Sequence, residues 1–87
     1  MHEASLMADL MRRIEEIARG ENARRVVGLS VWLGALSHMS KGHFTEHFED
    51  AAAGGIADGA RLDITLSDDV DHPNAQSVMI ESVEVET

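Results

Sequence analysis

The sequence contains no cysteine and no tyrosine, and its aromatic content is limited to Trp32, Phe44 and Phe48. Without thiols there can be no disulfide, no thiolate zinc site and no cysteine nucleophile within these 87 residues. With so few rings, core volume must come from Leu, Ile, Val, Met and Ala. No apolar run approaches the ~18 residues that a membrane-spanning helix requires, and no segment has the pattern of a secretory leader. A cytoplasmic location, with no membrane association, is the expectation. Basic residues are also scarce, seven against sixteen acids, for a net charge of −9. A surface so negative repels phosphates, which excludes nucleic acid as the expected partner. Lys and Arg are absent altogether after Arg61, whereas Asp63, Asp68, Asp69, Asp71, Glu81, Glu84 and Glu86 follow. One end of the fold should therefore carry a negative potential.

What is present suits one small folded unit over residues 1–87, since the 44% apolar content is ordinary for a globular domain. Leu6, Leu10, Ile14 and Ile17 recur at helical spacing, with Met7, Met11 and Ala18 widening the stripe, and predict a helix over 4–19 that stops at Gly20. Val27, Leu29, Val31 and Leu33 alternate with Gly28, Ser30 and Trp32, the period-two pattern of a half-buried strand. Trp32 falls on the face opposite those aliphatics, where the chain itself or a partner could cover it. Ser40 is a good N-cap for a second helix over 41–53, whose buried stripe is Phe44, Phe48, Ala51 and Ala52 and which Gly54-Gly55 ends. Leu62, Ile64 and Leu66 mark a second strand. Asp68 to Gln76 reads as a polar loop. Val78 and Ile80 begin a third strand that Val83 and Val85 continue in the other parity, which predicts a bulge near Glu81-Ser82. The expected fold is α/β (α+β) in the order α-β-α-β-β, with two helices packed on one face of a three-stranded mixed sheet. The β-α-β crossover should be right-handed, and the last two strands should form a hairpin.

Catalytic signatures are missing. Ser30, Ser37 and Ser40 lack a nucleophile-elbow context, and no phosphate-binding glycine spacing occurs, so a non-enzyme is expected. Metal-binding chemistry has more to work with. At Met1-His2-Glu3 the α-amino group, the backbone amide of His2 and its imidazole can form one compact chelate. A further nitrogen or oxygen donor makes a nearly planar set, favouring Ni(II) or Cu(II) over Zn(II). Glu3 can ligate or orient the imidazole. His43 and His47, one turn apart on the second helix, form a second candidate pair that Glu46 or Asp50 could complete, and His38 lies in the loop before it. Because these histidines flank the Phe stripe, a structural role is the first expectation for them and a ligand role the second. Asp68, Asp69 and Asp71 lack the ladder and distal Glu of a calcium loop and read as a solvated turn.

Taken together and in order, several segments resemble the hydrogenase nickel-incorporation proteins of the HypA/HybF type. They are Met1-His2-Glu3 with Ser5-Leu6, Ala23-Arg24-Arg25-Val26, the strand end Leu33-Gly34-Ala35-Leu36-Ser37, the Phe-bearing second helix, Gly55-Ile56-Ala57-Asp58-Gly59-Ala60, and Ser82-Val83-Glu84-Val85-Glu86. The resemblance covers roughly residues 1–66 and 78–86. It implies a nickel metallochaperone with an α-β-α-β-β nickel-binding domain and Ni(II) held at Met1, His2 and Glu3. If they lie close by, His38, His43 or His47 would be available to such a protein as a fourth donor or a transfer site. It also implies a maturation GTPase and the large subunit of a nickel enzyme as partners. Members of that family carry a zinc-binding domain with two Cys-x-x-Cys pairs between the last two strands. Here a short loop at about 68–76 stands in that place, so no structural zinc is expected. An open strand edge makes a homo-oligomer plausible. The competing expectation is a non-catalytic interaction module that keeps the fold but not metal delivery, with Trp32 and the acidic loop as its contact surface.

Overall fold

A computed structural model describes the backbone of residues 3–87 and the side chains of residues 5–87. The described residues form α1 (Glu3–Gly20), β1 (Arg25–Leu33), α2 (Lys41–Ala52), β2 (Arg61–Leu66) and β3 (Val78–Glu86). The sheet order is β2-β1-β3, with β2 parallel and β3 antiparallel to β1. The expected α+β architecture and mixed three-stranded sheet are therefore present.

β1 is the most apolar strand, and pairing on both edges satisfies its backbone while its side chains are covered. Leu29, Val31 and Leu33 stand in rows with Leu62, Ile64 and Leu66 on β2 and with Val83, Ile80 and Val78 on β3. These rows face the helices, and the β1 members are almost completely buried. α1 contributes Met7, Leu10, Ile14 and Ala18 to the core, while α2 contributes Phe44, Phe48 and Ala52. Full burial of each large apolar side chain stabilises the fold by about 1.5–3 kcal/mol. The two Phe residues thus anchor the short α2 despite its otherwise polar sequence.

Three details differ from the sequence reading. First, β2 and β3 do not form a hairpin. A hairpin would leave β1 with an open edge; instead, residues 67–77 pass across the end of β1 and deliver β3 to its other side. Ser67 N–H donates to Leu33 O, Gly34 N–H to Ser77 O at 2.9 Å and Leu36 N–H to Ala75 O at 2.7 Å. Second, a bulge at Val27 shifts the register so that Val26 rather than Val27 enters the core. Third, the α1 stripe is rotated slightly, which buries Ala18 and leaves Ile17 41% exposed. The expected second bulge is present: Ser30 pairs with Ser82 and Val31 with Ile80, leaving Glu81 unpaired.

Two glycines, Gly28 in β1 and Gly34 directly after it, lie against close neighbours of different kinds. At Gly28 a Cβ would lie 2.9 Å from Nη2 of Arg61 and 3.2 Å from Oε2 of Glu84. These two side chains flank Gly28 in register and join above it in a 2.6 Å ion pair that spans all three strands. The hydrogen bond that Arg61 donates to Glu84, with the negative charges of Glu84 and Asp63, raises Arg61 above the ordinary guanidinium range. At Gly34 a Cβ would overlap the backbone carbonyl of Ala75 and stand 2.8 Å from Asn74 O. Backbone cannot retreat as a flexible side chain can. Gly34→Ala should therefore destabilise the fold by about 1–3 kcal/mol, the range for overpacking, and Gly28→Ala by less; urea denaturation of the two variants checks the order.

Candidate functional site

α1 runs antiparallel to the strand it precedes, so its first half returns to the end of the molecule where β1 finishes. Leu6, Asp9, Leu10 and Arg13 of α1 face Leu36–Met39 and Gln76–Val78 there across an open cavity of about 520 Å³. α2 starts from this same end, immediately after that loop. Both helices therefore begin beside the closed end of β1. The candidate ligands Met1, His2 and the Glu3 side chain lie outside the described residues; the helix that carries them begins here, at Glu3.

His38 is exposed and lines the cavity with φ of +61°, a left-handed conformation that His adopts more readily than branched residues. Its neighbour Ser37 has a buried Oγ with no hydrogen-bond partner among the described residues. Asp9 and Arg12 form a 2.8 Å ion pair one turn apart on α1. On α2, Ser40 has the extended backbone of an N-cap, and its Oγ accepts a 3.1 Å hydrogen bond from His43 N–H. Thr45 Oγ1 donates to Lys41 O at 2.8 Å in the same turn. His43 and His47 come together, with ring centroids 5.0 Å apart and a 42° tilt. The adjacent Phe44 and Phe48 rings are buried and stacked at 6.2 Å, which fixes the rotation of the helix. Among the described residues, no three His, Asp or Glu side chains gather within reach of one metal ion. His38 thus does not join the His43–His47 pair.

The 67–77 connection is built by turn chemistry. Ser67 Oγ accepts from Asp69 N–H, and Asp69 Oδ1 accepts from Asp71 N–H, at 3.1 and 3.0 Å. Asp68, Asp69 and Asp71 are exposed. His72 Nδ1 accepts from Asn74 N–H at 2.9 Å, and its ring lies 4.8 Å from that of Trp32. The chain itself thus shields Trp32, which is half-buried between Thr65 and Met79 on the outer face of the sheet. Sequence reasoning missed this contact, and also missed the Arg61–Glu84 bridge. Each joins residues from strands or loops whose lateral order no local pattern reveals.

Comparison with known proteins yields one family. The profile of the family described as "Hydrogenase/urease nickel incorporation, metallochaperone, hypA" matches residues 1–71. The hydrogenase maturation factor HypA of Methylocella silvestris is 36% identical over 66 residues, 76% of this chain and 58% of that protein. That of Rhodopseudomonas palustris is 39% identical over 64 residues, 74% of this chain and 57% of that protein. The chain thus spans a little over half the length of these curated relatives. The solution structure of the Ni metallochaperone HypA from Helicobacter pylori superposes with a TM-score of 0.81 at 23% identity, covering 99% of this chain and 98% of that one. At that identity the superposition speaks for the fold.

Two measurements check the local account. Ser40→Ala should cost about 1 kcal/mol of stability through loss of the N-cap, read from thermal or urea unfolding. His72→Ala should red-shift the emission of Trp32, the only tryptophan, and raise its quenching by acrylamide; unchanged emission would remove the ring contact from the account.

Proposed function

Since the chain belongs to the hydrogenase/urease nickel-incorporation metallochaperone family, HypA, we propose that it binds Ni(II) and passes it to a nickel enzyme such as [NiFe]-hydrogenase. The observation that carries this reading is that the family match starts at the first residue and so includes Met1-His2-Glu3. The Met1 amine, the His2 amide and imidazole, and an oxygen from Glu3 or water supply the nearly planar N/O set that nickel accepts. The terminus is joined directly to α1, which Met7, Leu10 and Ile14 fasten to the core. The planar set takes nickel without enclosing it, which suits a protein that must release its metal to a client.

In this reading the protein is not an enzyme, because its task is to hold and release an ion. Its partners are a maturation GTPase and the large subunit of the nickel enzyme, met in the cytoplasm; no helix among the described residues is long and apolar enough to cross a membrane. Nucleic acid is no partner, given the net charge of −9. No thiolate is available within the 87 residues for structural zinc, and residues 67–77 connect β2 to β3 as a self-bonded loop where the family's zinc domain would stand. The outer edges of β2 and β3 offer a route to a homo-oligomer. A pure interaction module is the weaker alternative, because Trp32, its main contact residue, is already shielded by His72.

Calorimetric titration of Ni(II) into protein with a native, untagged terminus tests the proposal. One tight equivalent is expected, lost in His2→Ala and weakened as pH falls, because protons compete for the amine, amide and imidazole donors. Binding indifferent to His2 would refute a terminal nickel site.

A further inference from the structure

We infer that His43 and His47 form a second site for a divalent late transition metal, separate from the terminal chelate. The inference rests on the nickel reading only for the identity of the metal. Imidazole nitrogens bind such ions at about 2.0–2.1 Å. The ring centre lies about 1.1 Å behind the ligating nitrogen, so two ligating rings have centres about 3.2 Å from the ion. Angles between planar (90°) and tetrahedral (109°) then place the ring centres about 4.5–5.2 Å apart. The observed 5.0 Å falls within that interval.

The scaffold is already in place. Phe44 and Phe48 each follow one of the histidines and are 0% and 2% exposed, so the helix cannot turn the pair away. The Ser40 cap holds the backbone of His43 itself. His43 is exposed and His47 half-buried, which leaves the ion open to water and to incoming ligands. With two protein ligands and water completing the shell, this is a site for temporary holding. Imidazole suits nickel, copper and zinc alike, and Ni(II) is the ion the proposed function supplies. α2 starts directly after the loop that lines the cavity beside α1, so the pair lies on the element that follows that loop.

The test uses the full chain with a native terminus in four forms: wild type, His2→Ala, and His2→Ala combined with His43→Gln or with His47→Gln. Calorimetry with nickel chloride should show a weaker Ni(II) equivalent surviving in His2→Ala. Loss of an outer-shell partner alone lowers metal affinity by about 10–100-fold, so each glutamine substitution should weaken the surviving equivalent at least about tenfold. Amide hydrogen exchange on the His2→Ala protein gives an independent reading, with added nickel expected to protect α2 more than α1. A His2→Ala protein that binds no nickel, or whose residual binding and α2 exchange ignore both histidines, would overturn the inference. If His2→Ala has no effect but the glutamine variants do, the terminal site fails and the helical pair stands.

Discussion

The path of the chain between its strands and helices depends on how the C-terminal end of β1 is closed. β1 carries the core aliphatics and is paired on both edges, so the chain must cross its end once to reach the second edge. That crossing brings the Ala75 carbonyl against Gly34, too close for any Cβ, and joins Leu36 and Ser77 to the same backbone ladder. The closure fixes where the 34–40 loop runs and therefore where α2 begins. α1 packs its first half over this loop. That close approach of two backbone segments sets the loop between β1 and α2, while apolar burial holds both helices in place.

The energetic weights are unequal. Apolar burial under β1 supplies most of the stabilisation, and it includes the ends of both helices that lie nearest the cavity. The ion pairs on the outer face are exposed, and exposed pairs add little to stability. Arg61 with Glu84 is better understood as a lock on strand order, since it can form only when β2 and β3 flank Gly28. Meanwhile the acidic surface that remains favours cations over nucleic acid and keeps the nickel reading electrostatically coherent.

The sequence carried the elements more clearly than their arrangement. Phe44 and Phe48 at helical spacing, Ser40 before them and Gly54 with its φ of +77° after them bounded α2 closely. The parity switch between Ile80 and Val83 located the Glu81 bulge. By contrast, Val26 and Val27 are chemically alike, and only the register with β3 decides which is buried. Ile17 and Ala18 compete in the same way, and the smaller residue lies where the helix comes closest to the core. The hairpin expectation failed because β3 has the direction a hairpin requires but lies on the other edge of β1. Likewise, i,i+4 spacing made the His43–His47 pair visible, whereas the His72 contact with Trp32 depends on a non-local crossing.

The central claim is that nickel is held through the free amino group of Met1 together with His2. The absorption spectrum of the Ni(II)-loaded protein, recorded with its native terminus and again with one residue added before Met1, tests this most directly. The account predicts the visible band of planar, nitrogen-ligated Ni(II) for the native terminus and its loss on extension, because the added residue converts the ligating amine into an amide and displaces the chelate. The same band at undiminished intensity in the extended protein would contradict it.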